Sequence, residues 1–82
     1  MPEIARFLGI VIKMFFREHN SPHFHALYGE YVSEFDIKTL EMIQGDLPTR
    51  VVSLVCEWAE LHQKELLEMW NAQKIHKLPP LV

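Results

Sequence analysis

His19, His23 and His25 stand close together in this chain, and Glu34 and Asp36 follow after a Gly29-Glu30 pair. Imidazole titrates near neutral pH, so it can take and give a proton under physiological conditions, and its unprotonated nitrogen is a common metal ligand. Two chemistries follow. In a ribonuclease reading His23 and His25 act as acid and base during attack of a ribose 2′-hydroxyl. Glu34 and Asp36 orient the rings, Arg17 or Lys13 steadies the phosphorane charge, and His19 in the adjoining loop can join them. This reading requires no cofactor. In a metal reading His19, His23 and His25, with Glu34 or Asp36, offer nitrogen and oxygen donors of the kind zinc or iron accepts. No cysteine pair and no HExxH pattern accompanies them. A plainer reading uses the same residues as cross-strand His–Glu and His–Asp pairs on a solvated sheet face, each worth about 0.2 to 1 kcal/mol. Residue type alone leaves the three open.

The elements that must position these groups can be read from periodicity. Ile10, Ile12, Met14 and Phe16 alternate with Val11, Lys13, Phe15 and Arg17, which predicts a strand with one wholly apolar face. Residues 4–8 form a preceding strand joined to it at Gly9 by a bend or bulge, and residues 18–22 form a turn. Gly29 at the first central position suits a two-residue type II′ hairpin between strands over 23–28 and 31–37. That turn fixes the register. It sets His25 opposite Glu34, His23 opposite Asp36 and Phe24 opposite Phe35, so that Phe24, Ala26, Tyr28, Tyr31, Ser33, Phe35 and Ile37 share the core face. His23, His25, Glu34 and Asp36 share the other. Lys38-Thr39 bends the chain into a short strand over 40–44, ended by Gly45-Asp46.

Pro48 suits the first turn of a helix, with Asp46 a candidate capping acid. Val51, Val55, Trp58, His62, Leu66 and Met69 then recur at three- and four-residue spacing, broadened by Val52, Leu54, Ala59, Leu61 and Trp70, which predicts one amphipathic helix over 48–73. His62, on its apolar side, reads as a hydrogen-bonded core or boundary histidine. A straight helix of about 25 residues runs about 37 Å, against about 17 to 20 Å for a typical strand. Its far end must overhang the sheet, bend, or meet another chain. The tail, 74–82, carries Pro79-Pro80 and cannot continue the helix, yet Ile75, Leu78 and Leu81 are apolar enough to dock. Fold class is therefore α+β: a small antiparallel sheet of about four to five strands over 3–45, packed against one long C-terminal amphipathic helix, in one domain spanning 1–82.

Composition narrows the function classes. The 82 residues are 49% hydrophobic and 23% charged, with a formal net charge of −3, an ordinary globular balance. That charge argues against binding nucleic acid by bulk electrostatics, which needs clustered cations, although Arg6, Lys13 and Arg17 leave room for a local basic patch. The single Cys56 cannot close an intrachain disulfide, and its helical setting suits a buried thiol better than a nucleophile. Glu3, Arg6 and Lys13 interrupt the apolar start, so it reads as neither a signal peptide nor a membrane span, and the chain reads as cytoplasmic.

Arg6-Phe7, Gly9-Ile10, the run from His19 through Asn20-Ser21-Pro22-His23-Phe24-His25 to Ala26, Tyr28-Gly29, Gly45-Asp46-Leu47-Pro48, Glu57-Trp58-Ala59 and Leu61-His62 together resemble the bacterial domain-of-unknown-function family 4160. The likeness spans residues 2 to about 70, and Ser21 stands where many members have a second proline. The resemblance implies a compact cytoplasmic bacterial protein of the toxin–antitoxin kind and no established reaction. The reading it favours is an effector acting on RNA through the histidine face, with a cognate toxin or antitoxin protein as partner. The alternative is a non-enzymatic protein-binding or metal-binding module, with the helix 48–73 and the tail 74–82 offering a surface for a second copy. Neither requires a membrane.

Overall fold

The computed structural model describes residues 3–16 and 21–82. Five strands, β1 (Glu3–Phe7), β2 (Ile10–Lys13), β3 (His23–Tyr28), β4 (Tyr31–Asp36) and β5 (Met42–Gly45), precede one helix, α1 (Thr49–Ala72). The strands form a single antiparallel sheet in the order β1-β2-β3-β4-β5, so that every strand lies beside its sequence neighbour. The α+β reading holds.

The central hairpin has the register its turn dictates: His23 faces Asp36, Phe24 faces Phe35, His25 faces Glu34, and Tyr28 faces Tyr31. Gly29 has φ +57° and Glu30 is not among the positive-φ residues, as a type II′ turn requires. On the buried side Phe24 and Phe35 stack with ring centroids 5.4 Å apart. Ser33, also buried, donates its hydroxyl hydrogen to the Ala26 carbonyl at 2.8 Å, which removes the cost of placing a hydroxyl in the core.

Three local expectations are corrected. Leu8 and Gly9 both have positive φ, and Phe7 pairs directly with Ile10; the β1–β2 link is a tight two-residue turn of the I′ kind, and the bulge lies instead between Glu3 and Ala5. Through it Ile4 and Ala5 are both buried. Leu40 does not begin the last strand. It adopts φ +62° and donates its N–H to the Asp36 carbonyl at 2.7 Å, closing a turn over residues 36–40. Asp46 does not cap the helix, because the cap position falls on Pro48 with no side-chain cap bond. The Pro48 carbonyl accepts from Val51 and Val52.

Helix α1 buries Val51, Val55, Trp58, Ala59, Leu66 and Met69, while Leu61, expected on the apolar side, is exposed. The backbone leaves helical geometry at His62 (φ −123°, ψ 17°). A straight helix of this length would measure about 36 Å, and the longest dimension of the molecule is 30 Å. Of the three ways to end an over-long helix, the chain bends. Next to the break, the Gln63 amide donates to the carbonyls of Ile37 and Lys38 at 2.8 and 3.0 Å, tying the helix to the β4–β5 turn. Gln73 then ends the helix in a left-handed conformation. The tail folds back on its own chain: Leu78 is buried and donates its N–H to the Ile4 carbonyl at 2.9 Å, and the Pro79 carbonyl accepts from the Trp58 indole at 2.9 Å. Part of the apolar surface expected to meet a second copy is spent on strand β1.

Gly45 has φ +91°, and a Cβ there would run into the Val32 carbonyl and the Ser33 Cα, whereas Gly29 has open space around it. Gly29→Ala should cost about 1–2 kcal/mol from its left-handed backbone alone, and Gly45→Ala should cost more, because strand β5 must also move. Urea unfolding of the two variants measures this, and equal losses would contradict the close β4–β5 approach.

Candidate functional site

Strands β3 and β4 bring His23, His25 and Glu34 to one face, two residues apart on β3 and across the pair on β4. One ring nitrogen of each histidine and a carboxylate oxygen of Glu34 lie within 4.8 Å of one another. Glu34 Oε1 is 3.2 Å from His23 Nε2 and 3.7 Å from His25 Nε2. The carboxylate therefore lies nearer the diagonal histidine than the one directly opposite it.

His23 is 2% exposed, which corrects the expectation of a solvated face. Its cover comes from the helix: the Trp70 ring lies 5.0 Å from the imidazole and packs in turn on Phe16 at 5.6 Å. Trp58, His62, Leu66 and Trp70 recur every four residues along α1. That stripe marks Trp70 as inward-facing, although its partner on the far side of the sheet end is not visible in the spacing. His25 lies beside His23, with ring centroids 5.3 Å apart, and meets the edge of Phe15 at 4.9 Å.

The two nitrogens of His23 have different duties. Nδ1 is 2.8 Å from the Ser21 carbonyl, and since a carbonyl can only accept, Nδ1 carries the hydrogen. Nε2 is buried and, among the described residues, has no hydrogen-bond partner: the 3.2 Å approach of Glu34 is close but not aligned for a bond. In the neutral ring Nε2 then presents a lone pair close to a carboxylate oxygen, an arrangement that favours a cation between them. An imidazole with one N–H fixed on a backbone carbonyl is also the orientation commonly seen in metal-ligating histidines.

Asp36 does not join the group. Its Oδ1 accepts from the backbone N–H groups of Lys38 and Thr39 at 2.7 and 3.0 Å, because the residue opens the turn that leads to β5 and its carboxylate closes that turn. Arg17 and His19 lie outside the described residues. Lys13 stands opposite His25 on β2. An open groove of about 240 Å³ runs beside the group, lined by His25, Val32, Ser33, Glu34, Gln44 and Gly45. It reaches His25 and Glu34 and not His23.

Two other reactive groups stand apart. The His62 ring packs 5.2 Å from Trp58, as a core or boundary histidine should. Its Nδ1, expected to be hydrogen-bonded, has no such partner among the described residues and lies 3.8 Å from a Glu65 oxygen. Cys56 points its Sγ at the Leu40 carbonyl, 3.4 Å away. Burial first, and then the nearby Glu60 charge, push its thiol above the ordinary range, which suppresses the thiolate. Cys56 should resist iodoacetamide at neutral pH in the folded protein and react once the chain is unfolded in urea. Rapid alkylation of the native state would contradict its assignment as a structural thiol.

Among the described residues no helix is long and apolar enough to cross a membrane. No curated protein and no solved structure matches the chain. A family model does match, over residues 9–71, a span that runs from the β1–β2 turn through the histidine group to the helix end with Trp70. By that match the chain belongs to the family described as Domain of unknown function (DUF4160).

Proposed function

We propose that this protein is a metal-binding module in which His23, His25 and Glu34 hold one divalent cation of the zinc class. The observation that carries this reading is the state of His23: a buried imidazole with Nδ1 committed to the Ser21 carbonyl and Nε2 facing Glu34 without a hydrogen bond. Distances support it. Donors bound at about 2.0 Å to a tetrahedral ion stand about 3.3 Å apart, and the two nitrogen–oxygen separations here are 3.2 and 3.7 Å. Two imidazoles and one carboxylate form a nitrogen–oxygen set that suits zinc or iron, and no thiolate lies in it. Holding the ion would offset the cost of burying His23, which Trp70 otherwise imposes without return.

A second reading is the one the family likeness suggests, a toxin–antitoxin component that acts on RNA. One observation favours an acid–base form of it: His25 and Glu34 are close together and both reach the groove. His23 suits that role less well, since an imidazole 2% exposed beneath Trp70 cannot approach a polynucleotide without movement of the helix end. The metal reading uses the burial of His23, and the acid–base reading must overcome it.

Calorimetric titration of the metal-stripped protein with zinc tests the choice. One saturable site per chain is expected, weakened at least tenfold by Glu34→Gln or His23→Ala and retained in Asp36→Asn. No saturable site, or equal loss in Asp36→Asn, would contradict the proposal. Growth inhibition on expression that persists in a folded Glu34→Gln variant unable to bind zinc would separate any effector activity from the metal.

A further inference from the structure

His23 Nδ1 lies 2.8 Å from the Ser21 carbonyl, and the Trp70 ring lies against the imidazole with centroids 5.0 Å apart and planes inclined by 55°. Trp70 offers the ion no ligand atom, because its indole nitrogen carries a hydrogen and can only donate. We infer, resting on the metal reading, that Trp70 is a positioning residue of the site, and that it ties the affinity for the ion to the seating of the last turn of α1.

A histidine ring turns about its Cβ–Cγ bond in a broad, shallow well. The bond from Nδ1 sets which edge of the ring faces the Ser21 carbonyl, but it leaves the ring free to rock. Rocking displaces Nε2, the atom 3.2 Å from Glu34 Oε1. A metal site needs its donors held within about 0.5 Å and about 10–20° of the productive geometry by side chains that are themselves locked by packing. Trp70 limits the rocking of His23, and Phe16 braces Trp70 in turn with ring centroids 5.6 Å apart.

Trp70 lies in the last turn of α1, beyond the break at His62, and chain segments at helix ends open most easily. This turn is held by Leu66 and Met69 in the core, by the Gln73 N–H on the Trp70 carbonyl at 3.2 Å, and by the Lys74 N–H on the Met69 carbonyl at 3.1 Å. The His76 N–H also meets Met69 Sδ at 3.4 Å. Seating the turn places Trp70 on His23, and fraying it releases the ring. Coupling between two equilibria is reciprocal, so an ion on His23 Nε2 holds the last turn down in the same measure as the last turn holds the site. Occupancy of the site is thereby passed to the start of the tail, 74–82.

Titration of the metal-stripped protein with zinc, followed both by heat and by tryptophan emission, tests this. Groups that orient a metal ligand without touching the metal typically carry about 10–100-fold in affinity. Trp70→Ala is therefore expected to weaken the zinc site about tenfold or more, and Trp70→Phe, which keeps an aromatic ring against His23, by less than about threefold. The parent's emission should change in step with occupancy. Trp70→Phe, whose remaining tryptophan is Trp58, should bind zinc without that change. No zinc site in the parent would remove the metal reading and this inference with it. A site of unchanged affinity in folded Trp70→Ala would leave the metal reading standing and overturn the role of Trp70. Should Trp70→Ala fail to fold, emission decides: a parent that binds zinc with unchanged emission, or an equal emission change in Trp70→Phe, would overturn the coupling.

Discussion

The two-residue turn at Gly29 and Glu30 is the constraint on which the site depends. Because side chains alternate along a strand, one register puts Phe24 and Phe35 into the core and leaves His23, His25 and Glu34 together on the other face. A slip of one residue would exchange the two sets. The energy that holds the register comes from the buried side: the stacked phenylalanines, the Ser33–Ala26 hydrogen bond and the contact of Phe24 with Trp58. The polar group is thus positioned by apolar packing one residue away in sequence. A large hydrophobic gain can hold a weaker polar arrangement in a geometry that the polar groups would not select alone.

The second constraint is the length of the helix. A straight α1 would outreach the molecule, and the break at His62 lets its second half continue within the same compact body. Leu66 and Met69 then remain in the core, and Trp70 reaches beyond it to His23 and Phe16. The bend therefore links the two sides of the domain: the residue that closes the core at the sheet end also shields one imidazole of the site. Burial makes the two histidines chemically distinct, with His23 enclosed and His25 reaching the groove.

Much of the architecture was legible because it rests on short-range rules. Hairpin register follows from turn length and survives in the structure, and the apolar faces follow from period two and period 3.6 and survive except at Tyr31 and Leu61, which are exposed. Leu8 is not legible as a turn residue, because a bulky residue with positive φ is uncommon and the glycine beside it suggests a bend within a continuous run. Register brings the Asp36 backbone opposite His23, but its side chain is captured by the N–H groups of Lys38 and Thr39, a local competition that alternation cannot reveal. The burial of His23 was hidden for the opposite reason. It depends on Trp70, 47 positions away along the chain by the numbering, and on a helix break that no proline or glycine announces. The Ser21 carbonyl that fixes the ring is a backbone group, and no residue type signals it.

His23 holds its hydrogen on Nδ1 and turns Nε2 toward Glu34. Nitrogen-15 NMR of the imidazoles in the metal-stripped protein at neutral pH reads that tautomer directly. An Nδ1–H ring is expected for His23, with an Nε2 resonance that shifts when zinc is added. An Nε2–H tautomer, or an Nε2 signal indifferent to zinc, would contradict it.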